Sequence, residues 1–294
     1  MYALKAMMAL FDLGALGMLL ALLRLTGRPE VWALAYGWCP LALKEYAQTG
    51  HFDPVATFFL LASLYTLARG RRALAGILAG FGIGAKLFPA VFVAVAWRRF
   101  GARGIALAAA ALALLAWPYA GDGIRAFAGI GTYGMQWVGN ASVFALVAWL
   151  FSPLGRLGLS TAMAAKVVLG ALGAAGLFAV SRRPEATPAQ LADKALVAVG
   201  MLFVLSPVQN PWYAGWLLPL AALSGRISWL VLSGTMVTYY AWFSASSYWR
   251  VVPGLGLPVD LRWLEYAPFF ALLWLESRSY SEEESSRMDA PRPV

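Results

Sequence analysis

RGRRALAGILAGFGIGAKLFPAVFVAVAWRRFGAR, residues 69–103, sets the reading of the whole chain. Arginine clusters stand at both ends of this stretch, and Lys86 is the one charged residue between them. Short arginine-rich loops stay on the cytoplasmic side of a membrane, so both clusters belong on one side and residues 73–97 must enter and return. The first arm, 73–85, rises only about 20 Å at 1.5 Å per residue, short of a hydrocarbon core about 30 Å thick. A hairpin with Lys86 at its tip meets both conditions, and Pro89 favours a break there. A single tilted span is the alternative. Gly76, Gly80 and Gly84 recur at the four-residue spacing that lets two helices approach closely.

Working outward, the 294 residues are 61% hydrophobic and 13% charged, with mean hydropathy +0.68. Soluble domains average about 25% charged residues. The composition therefore implies an all-α, polytopic transmembrane helical bundle over residues 1–276. Several of its apolar runs, such as 31–43 and 141–151, are too short to span, so short and re-entrant helices are expected. Residues 277–294 lack apolar periodicity and are expected to form a disordered cytoplasmic tail. The first run carries Lys5 and Asp12 without a basic leader, which is not a cleavable signal. Cys39 stands alone, which excludes an internal disulfide framework.

The net charge of +9 does not indicate nucleic acid, because the basic residues sit in short clusters between apolar runs. With the loops at 24–30, 69–72, 98–103, 182–194 and 225–227 and the C-terminal tail inside, fifteen of the 23 basic residues are cytoplasmic. That excess orients the bundle.

Three pieces place polar side chains at the edges of apolar runs: KEYAQTGHFDP at 44–54, GFGIGAKLFP at 80–89 and SPVQNPWYAGW at 206–216. Ionisable groups beside a bilayer are expensive, which makes such edges site candidates. Glu45, His51 and Asp53 can bind a cation, position a sugar hydroxyl or move a proton. Asp53 before Pro54 also fits plain helix capping. His51 is the only histidine, so a multi-histidine metal site is excluded. Lys86 reads either as a snorkelling lysine or as a point charge for a phosphate. Gln209 and Asn210 lie between Pro207 and Pro211, followed by Trp212, Tyr213 and Trp216. Amides and aromatic faces suit a sugar ring; the aromatics alone would be an interfacial belt.

Lesser candidates are Asp122, Arg125, Gln136, Trp137 and Asn140 in an outer loop, and Arg250, Asp260, Arg262 and Glu265 in a later one. The latter four can pair among themselves. Asp12 and Lys166 are expected to face the bundle interior, near each other.

The chain resembles bacterial polytopic glycosyltransferases of the GT-C superfamily, the mannosyltransferase-like type that uses polyprenyl-phosphate-linked sugars. The resemblance runs through YGWCPLALKEYAQTGHFDP at 36–54, AGILAGFGIGAKLFP at 75–89, YGMQWVGNASVF at 133–144, LSPVQNPWYAGWLLPL at 205–220 and RWLEYAPFF at 262–270. Two departures stand out. Family members commonly carry histidine before Pro-Trp-Tyr, where this chain has Asn210. They also usually begin with a further helix and an outer loop bearing the catalytic aspartate. MYALKAMMALFDLG resembles the helix that follows those, so an N-terminal portion carrying the general base is expected to be missing.

The resemblance implies transfer of a hexose, mannose by preference, from a polyprenyl phosphate to an acceptor on the outer, periplasmic face of the plasma membrane. Lys86 is then the first choice for the donor phosphate, with Arg125 or Arg262 second. His51, Asp53, Gln209, Asn210, Trp212 and Tyr213 would hold sugar or acceptor, and Glu45 and Asp122 are the candidate catalytic carboxylates. The resemblance fixes no cofactor; a divalent cation at the Glu45–Asp53 cluster is one use of those groups. The alternatives are a lipid or small-molecule transporter of flippase type, which also gathers charges at broken helices, or a non-catalytic membrane subunit. Clustering on one face and the lack of a visible inverted repeat favour the transferase.

Overall fold

Long apolar stretches without proline form the spans, and proline, glycine and charge mark where they stop. The computed structural model describes residues 2–243, 249–251, 258–260 and 262–289. Helix α1 (Tyr2–Thr26) leads into short helical turns over residues 30–49, then α2 (Asp53–Ala68), α3 (Arg72–Ala85), α4 (Pro89–Val95) and α5 (Trp97–Ala116). A wound segment, Trp117–Phe127, precedes α6 (Ala128–Gln136), α7 (Val143–Leu150), α8 (Thr161–Arg182) and α9 (Pro188–Leu205). Short helices follow: α10 (Pro211–Ala214), α11 (Leu218–Ser224), α12 (Ile227–Thr235) and α13 (Thr238–Phe243). An antiparallel pair of three-residue strands, Trp249–Val251 and Pro258–Asp260, separates these from α14 (Trp263–Asp289). The last helix runs past residue 276 to Asp289, where the sequence offered no apolar periodicity.

The protein is an all-α polytopic bundle. Among the described residues, α1, α8, α9 and the stretch Trp97–Gly123 are long and apolar enough to cross a bilayer, while α2 and α3 are shorter. Ser160 caps α8 by accepting from the Met163 N–H, and Thr187 and Gln190 form a capping box on α9, with Pro188 at its first position.

The 69–103 stretch folds as a hairpin. Helix α3 ends at Ala85, Lys86 adopts an extended backbone (φ −160°, ψ 145°), and α4 returns from Pro89. The turn that starts α5 uses Gly101 at φ +64°, a conformation that suits glycine. Helix α5 then runs parallel to α3. A Cβ on Gly76 would lie 2.0 Å from the Gly104 carbonyl oxygen, and one on Gly80 2.5 Å from that of Ala108. The glycine stripe is therefore a backbone-to-backbone seam.

Two ends result. The Arg72 guanidinium lies near Gly101, and Trp97 and Arg98 share a hollow with Ser181 and Arg182. Arg28 meets Ser224 and Gly225. At the opposite ends of these helices stand Asp53, Lys86 and the segment after α9.

Candidate functional site

The chain between residues 43 and 53 is built to bury an acid. Leu43–Thr49 winds as a π-helix, a wide turn frequent at functional positions, and Gly50 at φ +83° ends it. Glu45 is 1% exposed. Its Oε1 accepts from Lys44 Nζ and from the Tyr240 hydroxyl, each at 2.5 Å, and its Oε2 lies 3.1 Å from His51 Nε2. Burial alone raises the Glu45 carboxyl, but the hydrogen bonds from His51, Lys44 and Tyr240 together outweigh it and bring it down to about 2. The His51 ring stacks on Trp212 at 4.2 Å and 14°, and the Lys44 ammonium sits 3.5 Å from the centre of the Tyr240 ring.

Asp53, fully buried, meets the second edge. It is the first residue of α2, yet its side chain makes no capping hydrogen bond. The capping reading of Asp53 is corrected by this: Oδ1 accepts from Lys86 Nζ at 2.6 Å and from Trp216 Nε1 at 2.5 Å, so the carboxylate is turned into the bundle. Its Oδ2 is buried without a partner. A half-satisfied buried carboxylate is costly, and that cost is what sets this position apart. Lys86 is only part-buried and also faces aromatic rings, 4.6 Å from the centre of Tyr213 and 5.3 Å from that of Trp216. Phe88 stacks on Trp216 at 4.2 Å, Tyr213 stacks on it at 4.3 Å, and the hydroxyls of Tyr213 and Tyr133 face each other at 3.1 Å.

The third edge is fixed by the amide between its prolines. Gln209 Oε1 accepts from the Ser142 N–H and hydroxyl, and its Nε2 donates to the carbonyls of Val204 and Ser206. Backbone bonds between Gly139 and Pro207, and between Gln209 and Gly139, complete the clamp. Asn140 is held there at φ +48°, with its amide donating to Glu265 at 2.8 Å. Gly215 has no room for a side chain, since a Cβ would sit 1.8 Å from the Tyr46 hydroxyl; the aromatic segment is pressed against the π-helix.

A family model for glycosyltransferase family 87 matches residues 2–207, which takes in the first two edges and most of the bundle. The chain belongs to glycosyltransferase family 87. No curated protein and no solved structure matches it.

In this family-87 membrane glycosyltransferase the three sequence edges converge. Glu45, His51 and Trp212 form one cluster; Asp53, Lys86, Tyr213 and Trp216 form its neighbour, joined through the edge-to-face contact of Trp212 with Tyr213. Asn210 starts α10 beside Gly139, while the Gln209 side chain is consumed by its clamp. Asp122 and Arg125 are exposed on the wound segment after α5 and do not join the cluster. Arg262 donates to the Ala141 carbonyl and lines a separate hollow with Trp149 and Tyr266. The expected approach of Asp12 to Lys166 does not occur. Asp12 accepts from Tyr36 at 2.5 Å, and Lys166 donates to the last carbonyls of α6. Among the described residues no three His, Cys, Asp or Glu side chains converge on a point.

Sequence reasoning missed Tyr133 and Tyr240, whose roles depend on contacts distant in sequence. Tyr133, Lys86, Tyr213 and Trp216 line a hollow of about 400 Å³. It shares Tyr133, Leu202 and Ser206 with a second, of about 460 Å³, along α8 and α9. The second shares Ala174 and Leu177 with a third, so an apolar groove follows α8 from one end of the bundle to the other.

Proposed function

We propose that this glycosyltransferase moves a hexose, mannose by the resemblance, from a polyprenyl phosphate to an acceptor hydroxyl on the outer, periplasmic face of the plasma membrane. The observation that carries the reading is Lys86, an ammonium at the mouth of a 400 Å³ hollow whose apolar continuation suits an isoprenoid chain. Lys86 would hold the phosphate, and Asp53 and Trp216 would fix the ammonium at that point. Tyr213, Trp212 and Asn210 would contact the sugar.

The acceptor oxygen attacks the anomeric carbon, and the carbon–oxygen bond to phosphate breaks with its electron pair leaving on the phosphate, where Lys86 stabilises the charge. The hydroxyl proton goes to His51, which takes the role the resemblance gave to an aspartate. With Nε2 held by Glu45, Nδ1 is the nitrogen left to accept it, and a carboxylate orienting an imidazole is a recurring arrangement for proton transfer. Glu45 itself, with both oxygens engaged and its carboxyl near 2, is a poor base.

The test is transfer by the purified chain in lipid discs, offered polyprenyl-phosphate mannose and the matching nucleotide sugar in parallel. Transfer from the lipid donor alone is expected. Transfer from the nucleotide sugar alone, translocation of the donor without transfer, or a folded chain inert to both donors would each overturn the reading.

A further inference from the structure

The groove along α8 has a second mouth, at the end opposite Lys86. There the N-terminal turn of α5 and the C-terminal turn of α8 enclose a hollow of about 430 Å³. Ala94, Ala174 and Leu177 make its floor; Arg98 and Arg182 stand on its rim. Each guanidinium lies over an aromatic ring, Arg98 at 5.3 Å from Trp97 and Arg182 at 5.7 Å from Phe178. Trp97 and Phe178 are themselves exposed, the placement of aromatics at a membrane–water boundary.

Neither arginine has a carboxylate partner among the described residues. Glu185, the acidic residue next in sequence, is paired with Lys194, which also donates to the Arg183 carbonyl. Two cations on one rim repel each other, and among the described residues only the two rings face them. Guanidinium groups match phosphate oxygens bidentately and are weakly hydrated, which suits them to a headgroup boundary. The floor below them extends from Arg182 to Ala174, about 12 Å along the helix, and is apolar but for Ser181, whose hydroxyl is spent on the Phe178 carbonyl.

We infer that this mouth binds an anionic phospholipid, with its phosphate between Arg98 and Arg182 and one acyl chain along Leu177 and Ala174. The site is separate from the Lys86 hollow and holds whether or not the donor is lipid-linked. Basic hollows between transmembrane helices are the places where acidic headgroups are retained. The occupant comes from the leaflet on the arginine side.

The experiment compares thermal unfolding of the delipidated chain in neutral detergent with added phosphatidylglycerol, phosphatidylcholine or inorganic phosphate. Phosphatidylglycerol is expected to raise Tm at a concentration at least about tenfold below that needed for phosphatidylcholine, as a lost charge-assisted contact would require. The double variant Arg98→Gln/Arg182→Gln should lose that preference, and Arg98→Lys/Arg182→Lys should keep part of it. Leu177→Trp, which fills the floor and leaves both charges, should also lose it. Lys86→Ala should keep it in full. The inference is overturned by any of four results: an equal response to both lipids, a preference surviving the double glutamine variant, abolition by Lys86→Ala, or full stabilisation by inorganic phosphate alone.

Discussion

Glu45 and Asp53 are buried carboxylates eight positions apart that are satisfied in different ways. Glu45 has donors on both oxygens, three in all, and two of those donors, Lys44 and His51, keep contact with solvent. Asp53 crowds Lys86 and Trp216 onto one oxygen and leaves the other bare in the interior. The first arrangement holds a neighbouring imidazole in place. The second holds a cation at the mouth of a hollow and retains unspent acceptor capacity. Burial alone would have ranked them together; the occupancy of individual oxygens separates them.

The comparison breaks most easily at the second carboxylate. Asp53→Ala leaves the Lys86 ammonium without its counter-charge, a loss of about 1.5–3 kcal/mol, and the buried Trp216 Nε1 without its acceptor, a further loss of about 1–3 kcal/mol. Glu45→Ala, whose donors can turn to water, is expected to cost about 1–3 kcal/mol. Thermal unfolding of the two variants should show the larger drop for Asp53→Ala; equal drops would erase the distinction.

Activity gives the next effect. Lys86→Ala is expected to lower transfer about ten- to a hundredfold, from a charge-assisted contact worth about 1.5–3 kcal/mol. Lys86→Arg should restore only part, because a planar fork does not replace a compact ammonium. Unchanged turnover at matched expression would reduce Lys86 to a snorkelling side chain.

A pH titration sharpens the contrast from the side of Glu45. Its carboxyl titrates at about 2 in the folded chain, against 4.5 when unperturbed. The unfolded chain therefore takes up the proton first as the solution is acidified. The stability that Glu45 contributes is intact above pH 4.5 and drains away as pH falls toward 2. Glu45→Gln should flatten the dependence of Tm on pH across that window, and an undiminished slope in the variant would show that other groups produce it.

The smallest effect belongs to Tyr133. Tyr133→Phe removes one hydroxyl contact with Tyr213, about 0.5–1.5 kcal/mol, and should raise the donor KM several-fold with little change in kcat. A fall in kcat alone would place Tyr133 in the chemistry and not in the wall.

The hairpin at 69–103 was legible because two charge clusters and one short arm leave few ways to cross a membrane. The glycine stripe was legible because its spacing admits a close helix neighbour whatever that neighbour is. The three polar edges were recognisable for the cost of their side chains beside lipid. Partners were not legible. Tyr240 reaches Glu45 across 195 positions, and no local pattern announces it. Asp-Pro at a helix start looks the same whether the carboxylate caps the helix or turns inward, so Asp53 could be named but not understood. Gln209 looked like a ligand group between prolines and is instead a clamp, because the backbone it serves comes from residues 139–142.

The π-helix at 43–49 carries one more residue per turn than its neighbours need. Deleting a single residue inside it would let an ordinary α-helix form, and the short link at 50–52 to the anchored α2 would have to absorb the change. His51 would leave the face of Trp212, while Asp53, anchored by α2, would stay. The spacing of the two carboxylates is thus a matter of chain length, and a one-residue deletion would uncouple them without altering the chemical identity of either group.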